Sequence, residues 1–375
     1  MVVSKDEISL SMRKQKKTRI LREIITPVLS IIVALTIVSI ILLFLKANLV
    51  VALQATLYGA LGSMNNIGTT LAKTTPLLLA GVGIAVALRA KLFNIGAEGQ
   101  IYMGGLACTW VILTFSLSGS VGLILGLLAG IVGGAVWCGI AGWLYAKRGV
   151  NEVITTLLMN YIAINIVLWV VSDPMHAPEA TFPRTDHIPE SSLLPILLPN
   201  TQGHIGIVIG LVLAVLFTLI LSYTVYGFKI RSLQEGTGTP RYAGISVGRM
   251  AIGTLSISGA MAGLAGAIEI LGVHKYLLEG FSPGYGFDAI AVGLLSRGNP
   301  IAVIPAALFF GILRSGANAM QRATGVPASM VFVIQGLTIL CVIAGYAIES
   351  LLSKRKAVKK IRGKNAGLAV HEEEE

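Results

Sequence analysis

The sequence predicts an all-α protein: a polytopic transmembrane bundle of about ten helices, with broken or re-entrant elements and both termini in the cytoplasm. Three observations lead there. Hydrophobic residues make up 54% of the chain and charged residues 13%, where a soluble domain carries about a quarter charged. The apolar residues gather into runs of about twenty, the length a helix needs to cross ~30 Å of hydrocarbon. The ~10-residue alternating segments of a membrane barrel are absent.

Taken in order, residues 1–22 are a basic tail, 23–350 the membrane domain and 351–375 a second charged tail. The first span, 24–45, exceeds the apolar core of a cleaved signal peptide and is followed by no A-x-A site. Residues 46–70 mix glycine and asparagine into apolar sequence and read as an external loop. The span 71–88 runs into a polar stretch, after which 101–115 resumes the apolar pattern. The span 121–145 ends at Lys147-Arg148 and is followed by 153–171. Residues 173–203 are acidic, irregular and proline-rich, and read as an external loop. After the span 205–225, residues 226–249 carry Lys229, Arg231, Arg241 and Arg249 and read as a cytoplasmic loop. The span 251–271 leads into 274–286, where Pro283 and three glycines suggest an external or re-entrant turn. The short run 287–295 ends at Arg297-Gly-Asn-Pro300, and the spans 301–317 and 330–348 complete the set.

The net charge of +11 is placed for topology rather than for nucleic acid. Seven of the 29 Lys and Arg precede the first span and seven follow the last. The tails and the loops read as cytoplasmic hold twenty, and five (Lys46, Lys73, Arg184, Lys275 and Arg322) fall on the predicted outside. Such a bias keeps the basic side in the cytoplasm and favours contact with anionic lipid. Cys108, Cys138 and Cys341 all fall in apolar runs, with no disulfide or metal spacing. No phosphate-binding loop occurs, and no Ser/His or paired-Asp constellation lies within the spans. Catalysis in this chain is therefore not expected, nor a cofactor or metal.

Two patterns bear on packing. Gly122, Gly126, Gly130 and Gly134 recur every four residues, as do Gly259, Gly263 and Ala267. Such faces let two helix backbones approach closely in lipid. In addition, Ile84-Ala-Val-Ala-Leu88 before Arg89 resembles Ile290-Ala-Val-Gly-Leu294 before Arg297. Repeated halves with interrupted segments at matching positions are common in transporters, so a second broken element is expected near Asp288–Pro300.

The chemistry concentrates in the link Arg89–Gln100. Backbone that leaves the helix at membrane depth is tolerated only inside protein or along a water-filled path, and charges there mark function by default. Phe93, Asn94, Gly96, Glu98, Gln100 and, from the second interrupted segment, Asp288 are the candidate lining of a substrate path. Glu98 is read either as an acceptor for backbone amides at the break or a partner of Arg89 or Lys91, or as a direct substrate contact. Gly96 and Gly99 permit the turn.

Phe93-Asn-Ile-Gly-Ala-Glu-Gly-Gln100 resembles the signature of permease subunits of bacterial ABC importers, in the branched-chain amino-acid and simple-sugar permease group. Its nearest branch is the nucleoside importers. The stretches Arg241–Val247, Ser258–Gly266 and Gly286–Leu295 with Asn299-Pro300 are similar to the same group, so the resemblance spans roughly residues 60–345. One stretch, Gln234–Arg241, keeps the family's spacing but not its Gly-x-Asn-Pro turn. The resemblance implies a machine in the cell membrane. Two permeases, related but different chains, pair around one path. Separate ATPase subunits consume ATP at the cytoplasmic loops, and an external substrate-binding lipoprotein delivers the cargo. Arg231, Glu235, Arg241, Tyr242 and Gly244 are then candidates for ATPase contact, and Phe93 and Asn94 could meet a nucleoside. Simple sugars and branched-chain amino acids are the alternative cargoes, and an ATPase-independent carrier or channel the alternative machine.

Overall fold

A computed structural model of the chain describes residues 48–235, 240, 244–327 and 329–330, with scattered positions between 29 and 40 and between 332 and 345. The two tails lie outside the described residues. Apart from those scattered positions, so does the expected span 24–45, and 330–348 is described only in part. Residues Ala47–Val331 form one compact unit, and the description below concerns that unit.

In chain order it contains α1 (Leu49–Leu61), α2 (Met64–Arg89), α3 (Ala97–Thr114), α4 (Gly119–Arg148), α5 (Glu152–Ser172), α6 (Gly206–Tyr223), α7 (Val225–Ser232), α8 (Val247–Glu269), α9 (Tyr285–Leu295) and α10 (Pro300–Thr324). Six of these, α2, α4, α5, α6, α8 and α10, are long and apolar enough to cross a membrane. The eight spans expected between residues 71 and 317 are all helical.

One expectation fails. Of the expected loop 46–70, the described residues 48–70 form the cap and body of α1, a tight turn at Gly62-Ser63, and the first two turns of α2. Asn48 and Ser63 cap these helices, their side chains accepting from Val50 and Val51 N–H and from Asn66 N–H respectively. These caps satisfy backbone donors that an isolated helix start leaves open. Gly316 of α10 admits the Thr56 backbone of α1 at a distance no side chain would allow, so α1 is held by tertiary packing rather than by its own hydropathy.

The glycine faces meet as helix packing requires. A Cβ on Gly134 would strike the Gly259 carbonyl and Gly263, and one on Gly263 would strike the Gly130 carbonyl. Gly104 of α3 likewise faces Gly263, and Gly266 faces the Ile101 carbonyl. Three backbones thus close on one another along α8. The opposite side of α4, with Val121, Ile124, Leu128, Val132 and Val136, is exposed, as a lipid-facing surface would be.

The segment 173–205 folds back over the link after α8. Thr185 N–H donates to the Leu277 carbonyl at 2.9 Å and Ile188 N–H to the Lys275 carbonyl at 2.9 Å. The Arg184 guanidinium lies over the Tyr276 ring, 5.0 Å from its centre. His204, buried just before α6, packs against Gly206 and Gly272. Its Nδ1 accepts from Gly206 N–H at 3.2 Å, which places the proton on Nε2. Burial pushes its pKa down to about 4.

Two outcomes follow. Gly263→Leu inserts atoms where two backbones touch, beyond the usual overpacking cost of about 1–3 kcal/mol, and should abolish a defined melting transition in detergent. Val132→Leu, on the exposed face, should leave that transition within about 2 °C. Unfolded His204 takes a proton near pH 6.5, and folded His204 only near pH 4. Its contribution to stability is therefore complete above pH 6.5 and is lost as pH falls from about 6.5 towards about 4. Between pH 7.5 and 5, His204→Asn should lose less of its melting temperature than the unmodified chain.

Candidate functional site: two interrupted segments that complete each other

Two of the places where the chain leaves the helix share one geometry. Between α2 and α3, Lys91 takes the left-handed conformation (φ 54°). Lys91 N–H returns to the Leu88 carbonyl and Leu92 N–H to the Ala87 carbonyl. After α9, Arg297 takes the same conformation (φ 52°), with Arg297 N–H on the Leu294 carbonyl and Gly298 N–H on the Gly293 carbonyl. Both terminations are the same C-terminal cap, and each places a basic residue in the left-handed position. The short echo between 84–88 and 290–294 thus extends to the backbone. Gly293 lies against Ile84, and Gly298 against the Ala85 carbonyl, so the two terminations stand side by side.

At 11 residues, α9 is about 16 Å long, half of what a crossing needs. Its two ends are held by the first break. The Glu98 carboxylate, 2% exposed, accepts from Gly284 N–H at 3.1 Å and from Gly286 N–H at 2.6 Å. It therefore caps the N-terminus of α9, where a negative charge is favoured by the helix dipole. Arg89 Nε donates to the Gly298 carbonyl at 2.7 Å just past the other end, where a positive charge is favoured. Gly286 is obligatory here, because a Cβ would strike the Glu98 backbone. Of the two readings of Glu98, the structure shows it accepting backbone amides. They belong to the second interrupted segment, and among the described residues no Lys or Arg forms an ion pair with it.

The first break is fastened to its surroundings through amides. Asn94 and Gln100 bond each other at 2.8 and 2.9 Å, and Asn94 Nδ2 also donates to Ser258 Oγ at 2.9 Å. Gly96 N–H donates to Asn94 Oδ1. Two residues of α5 take the remaining backbone. Thr156 Oγ1 accepts from Ile95 N–H, while Asn160 donates to the Ile95 carbonyl and accepts from Gly99 N–H. Asn94, Glu98 and Gln100 are buried, and Gly96 and Gly99 admit Thr156 and Asn160 where a Cβ would collide. Phe93, by contrast, is 47% exposed.

Beside Glu98 lies a charged group contributed by four helices. Arg314 of α10 pairs with Asp288 of α9, donates to the Pro283 carbonyl at 2.9 Å and lies over the Tyr285 ring at 4.8 Å. Lys73 of α2 donates to the Arg314 carbonyl at 3.2 Å. Glu269 of α8 is buried, with Oε1 3.6 Å from His274 Nε2. Past Glu269 the helix widens into a π turn, Ile270–His274, a feature often found at functional positions. Asp288 is among the residues singled out from the sequence as path lining. Arg314 is not, although a lone arginine inside the apolar run 301–317 is itself a signal. Asn160 and Thr156, polar residues within 153–171, were legible in the same way.

The loop residues singled out from the sequence are partly described. Arg231 lies in α7, Glu235 in a 3-10 turn (Leu233–Glu235), and Gly244 is exposed with φ 72°. Arg241 and Tyr242 lie outside the described residues. Ile230 and Leu233 are buried in one apolar cluster with Ala90 and Leu92 of the first break and with Met250 and Leu255 of α8.

The family described as branched-chain amino acid transport system / permease component matches residues 66–343. The chain belongs to this family. It is a multi-pass membrane permease subunit of the ABC type, a transporter component rather than an enzyme, and membership implies ATPase and substrate-binding partners. Among its relatives, a guanosine ABC transporter permease of Bacillus subtilis is 35% identical over 90% of this chain and 97% of its own. A nucleoside ABC transporter permease of Lactococcus lactis is 30% identical, covering 90% and 95%. A glucose ABC transporter permease of Haloferax volcanii is 35% identical, covering 85% and 86%. No solved structure matches.

Removing the cap on α9 should be costly. Hydrogen bonds to a charged group are worth about 1.5–3 kcal/mol each, so Glu98→Ala should destabilise the permease by about 3 kcal/mol or more. Glu98→Gln, which keeps one acceptor, should cost less. Thermal melting in detergent checks the order, and membrane fractionation should find all three forms inserted equally.

Proposed function

We propose that this chain forms half of the translocation path of an ATP-driven importer for nucleosides. The observation that carries the reading is the pair of interrupted segments, each presenting an exposed aromatic ring beside a charged and amide-rich backbone. Phe93 supplies one ring and Phe287 the other. A nucleobase offers a flat face to such rings and polar edges to the groups around them. The guanosine and nucleoside permeases among the relatives support that cargo. In this reading Asn94, Gly96, Glu98, Gln100 and Asp288 shape the lining, with Glu98 holding α9 in place.

The chain is paired with a second permease subunit, related but different, and an external lipoprotein delivers the cargo. Segment 173–203 faces outward and 226–249 inward, in line with the basic residues near α7. ATP is consumed by separate subunits docked at the inner loop, through Arg231, Glu235, Arg241, Tyr242 and Gly244. Their motion reaches the path through α7, whose Ile230 and Leu233 share an apolar cluster with Ala90 and Leu92. A second reading, import of a simple sugar, is favoured by the glucose permease at 35% identity.

Uptake of radiolabelled nucleosides by cells with and without this chain tests the cargo. Loss of nucleoside uptake on deletion is expected, and loss of glucose uptake instead would establish the second reading. Purification in mild detergent should recover an ATPase, and reconstitution of the chain alone should give no gradient-driven transport. Ile230→Ala, a buried truncation costing about 2–5 kcal/mol, should lower uptake while the ATPase still co-purifies.

A further inference from the structure

A groove of about 380 Å³ runs between α4 and α8. Val136, Gly139, Ile140 and Trp143 line one wall, and Ile252 and Ser256 the other. Gly139 brings the two walls together, since a Cβ there would lie 2.7 Å from Ser256 Oγ. Val136, Ile140 and Trp143 are exposed, so the groove opens on the surface that meets hydrocarbon.

The helices that form it run antiparallel, with Gly142 against Ile252 and Gly248 against Ala146. This register fixes what lies beyond the groove's end. Lys147 follows Trp143 by four residues, and Arg249 precedes Ile252 by three, so each continues the wall it belongs to. Both are exposed, as is Arg148 beside them, and among the described residues no carboxylate pairs with any of the three. An apolar slot, an aromatic side chain at its mouth and cations one turn further on match a glycerophospholipid part by part. The slot takes an acyl chain, the indole sits at headgroup depth, and the cations take the phosphate.

We propose that this groove is a binding site for an anionic phospholipid. The lipid bridges the end of α4 and the start of α8, and so stiffens the helix that begins where segment 226–249 ends. A second permease helix would need no cations at this position, and a zwitterionic lipid would gain little from them.

Native mass spectrometry of the full-length permease, exchanged into mixed micelles of phosphatidylglycerol and phosphatidylcholine, tests the site. The unmodified chain should retain phosphatidylglycerol selectively. At about fivefold per basic residue, the Lys147→Gln/Arg249→Gln variant should lose about 25-fold of that selectivity. Gly139→Leu, which fills the slot, should reduce retention of both lipids. The charge variant lies on the surface and settles the question even if Gly139→Leu misfolds. Equal retention by the unmodified chain and the charge variant, or no preference for phosphatidylglycerol in the unmodified chain, would overturn the proposal. So would a photo-crosslinker at Val136 that captures protein, of this chain or another, instead of lipid.

Discussion

A chain that leaves the helix inside a membrane must find partners for its freed N–H and C=O groups, and each one left open costs several kcal/mol. That constraint organises this protein. The first break frees the backbone around Ile95 and Gly96. Asn94, Thr156 and Asn160 take those groups at hydrogen-bonding distance. The second frees the donors at the start of α9, and Glu98 takes two of them. Neither segment is stable without side chains from elsewhere, and the acceptor at the second comes from a helix that begins at the first. The two interruptions are one structure.

The choice of a carboxylate at 98 has an electrostatic reason. The N-terminus of α9 carries a partial positive charge that a buried acid offsets. Arg89 performs the converse service at the C-terminal end through the Gly298 carbonyl. A helix of 11 residues has little propensity to persist alone, so its ends matter more than its middle. Arg314 then fixes its orientation by meeting Asp288, Tyr285 and the Pro283 carbonyl together. A buried set of charges is weak as a source of stability but strict about geometry. Moving α9 relative to α2 or α10 exchanges several such contacts at once, which suits a segment with two positions better than one that drifts.

Much of the architecture was legible because hydropathy in lipid is a one-dimensional signal. The spans from α2 to α10 followed from apolar runs, and the glycine repeats of α4 and α8 announced a close contact that Gly134 and Gly263 make. The helices within 48–70 are hard to read from sequence because Asn65, Asn66 and Thr69 interrupt the apolar pattern, and Asn48 and Ser63, which cap the two helix starts, are residues that loops also favour. Of the site, the first break was legible from charges and glycines in the wrong solvent. Its partners were not. Glu98 meets residues 186 and 188 positions away, and nothing in local sequence encodes that pairing. Arg314 was hidden differently, as a single charge diluted by the apolar run around it.

In the proposed importer, the route from the loop 226–249 to the path rests on shape rather than charge. α7 turns away from α6 at Thr224, whose hydroxyl caps it, and Gly227 lets it lie against the Ile220 and Leu221 carbonyls. Ile230 is thereby driven into the same apolar cluster as Ala90 and Leu92. Close-packed interiors transmit displacement because they have no slack to absorb it. A shift of α7 by a fraction of a side chain must therefore move Ala90 and Leu92. Those residues sit between Arg89, which holds the far end of α9, and Asn94, which anchors the break to α8. In the proposed importer, a push on the loop would arrive at both interrupted segments through the same few atoms, and the polar contacts that fasten them would determine how far it goes.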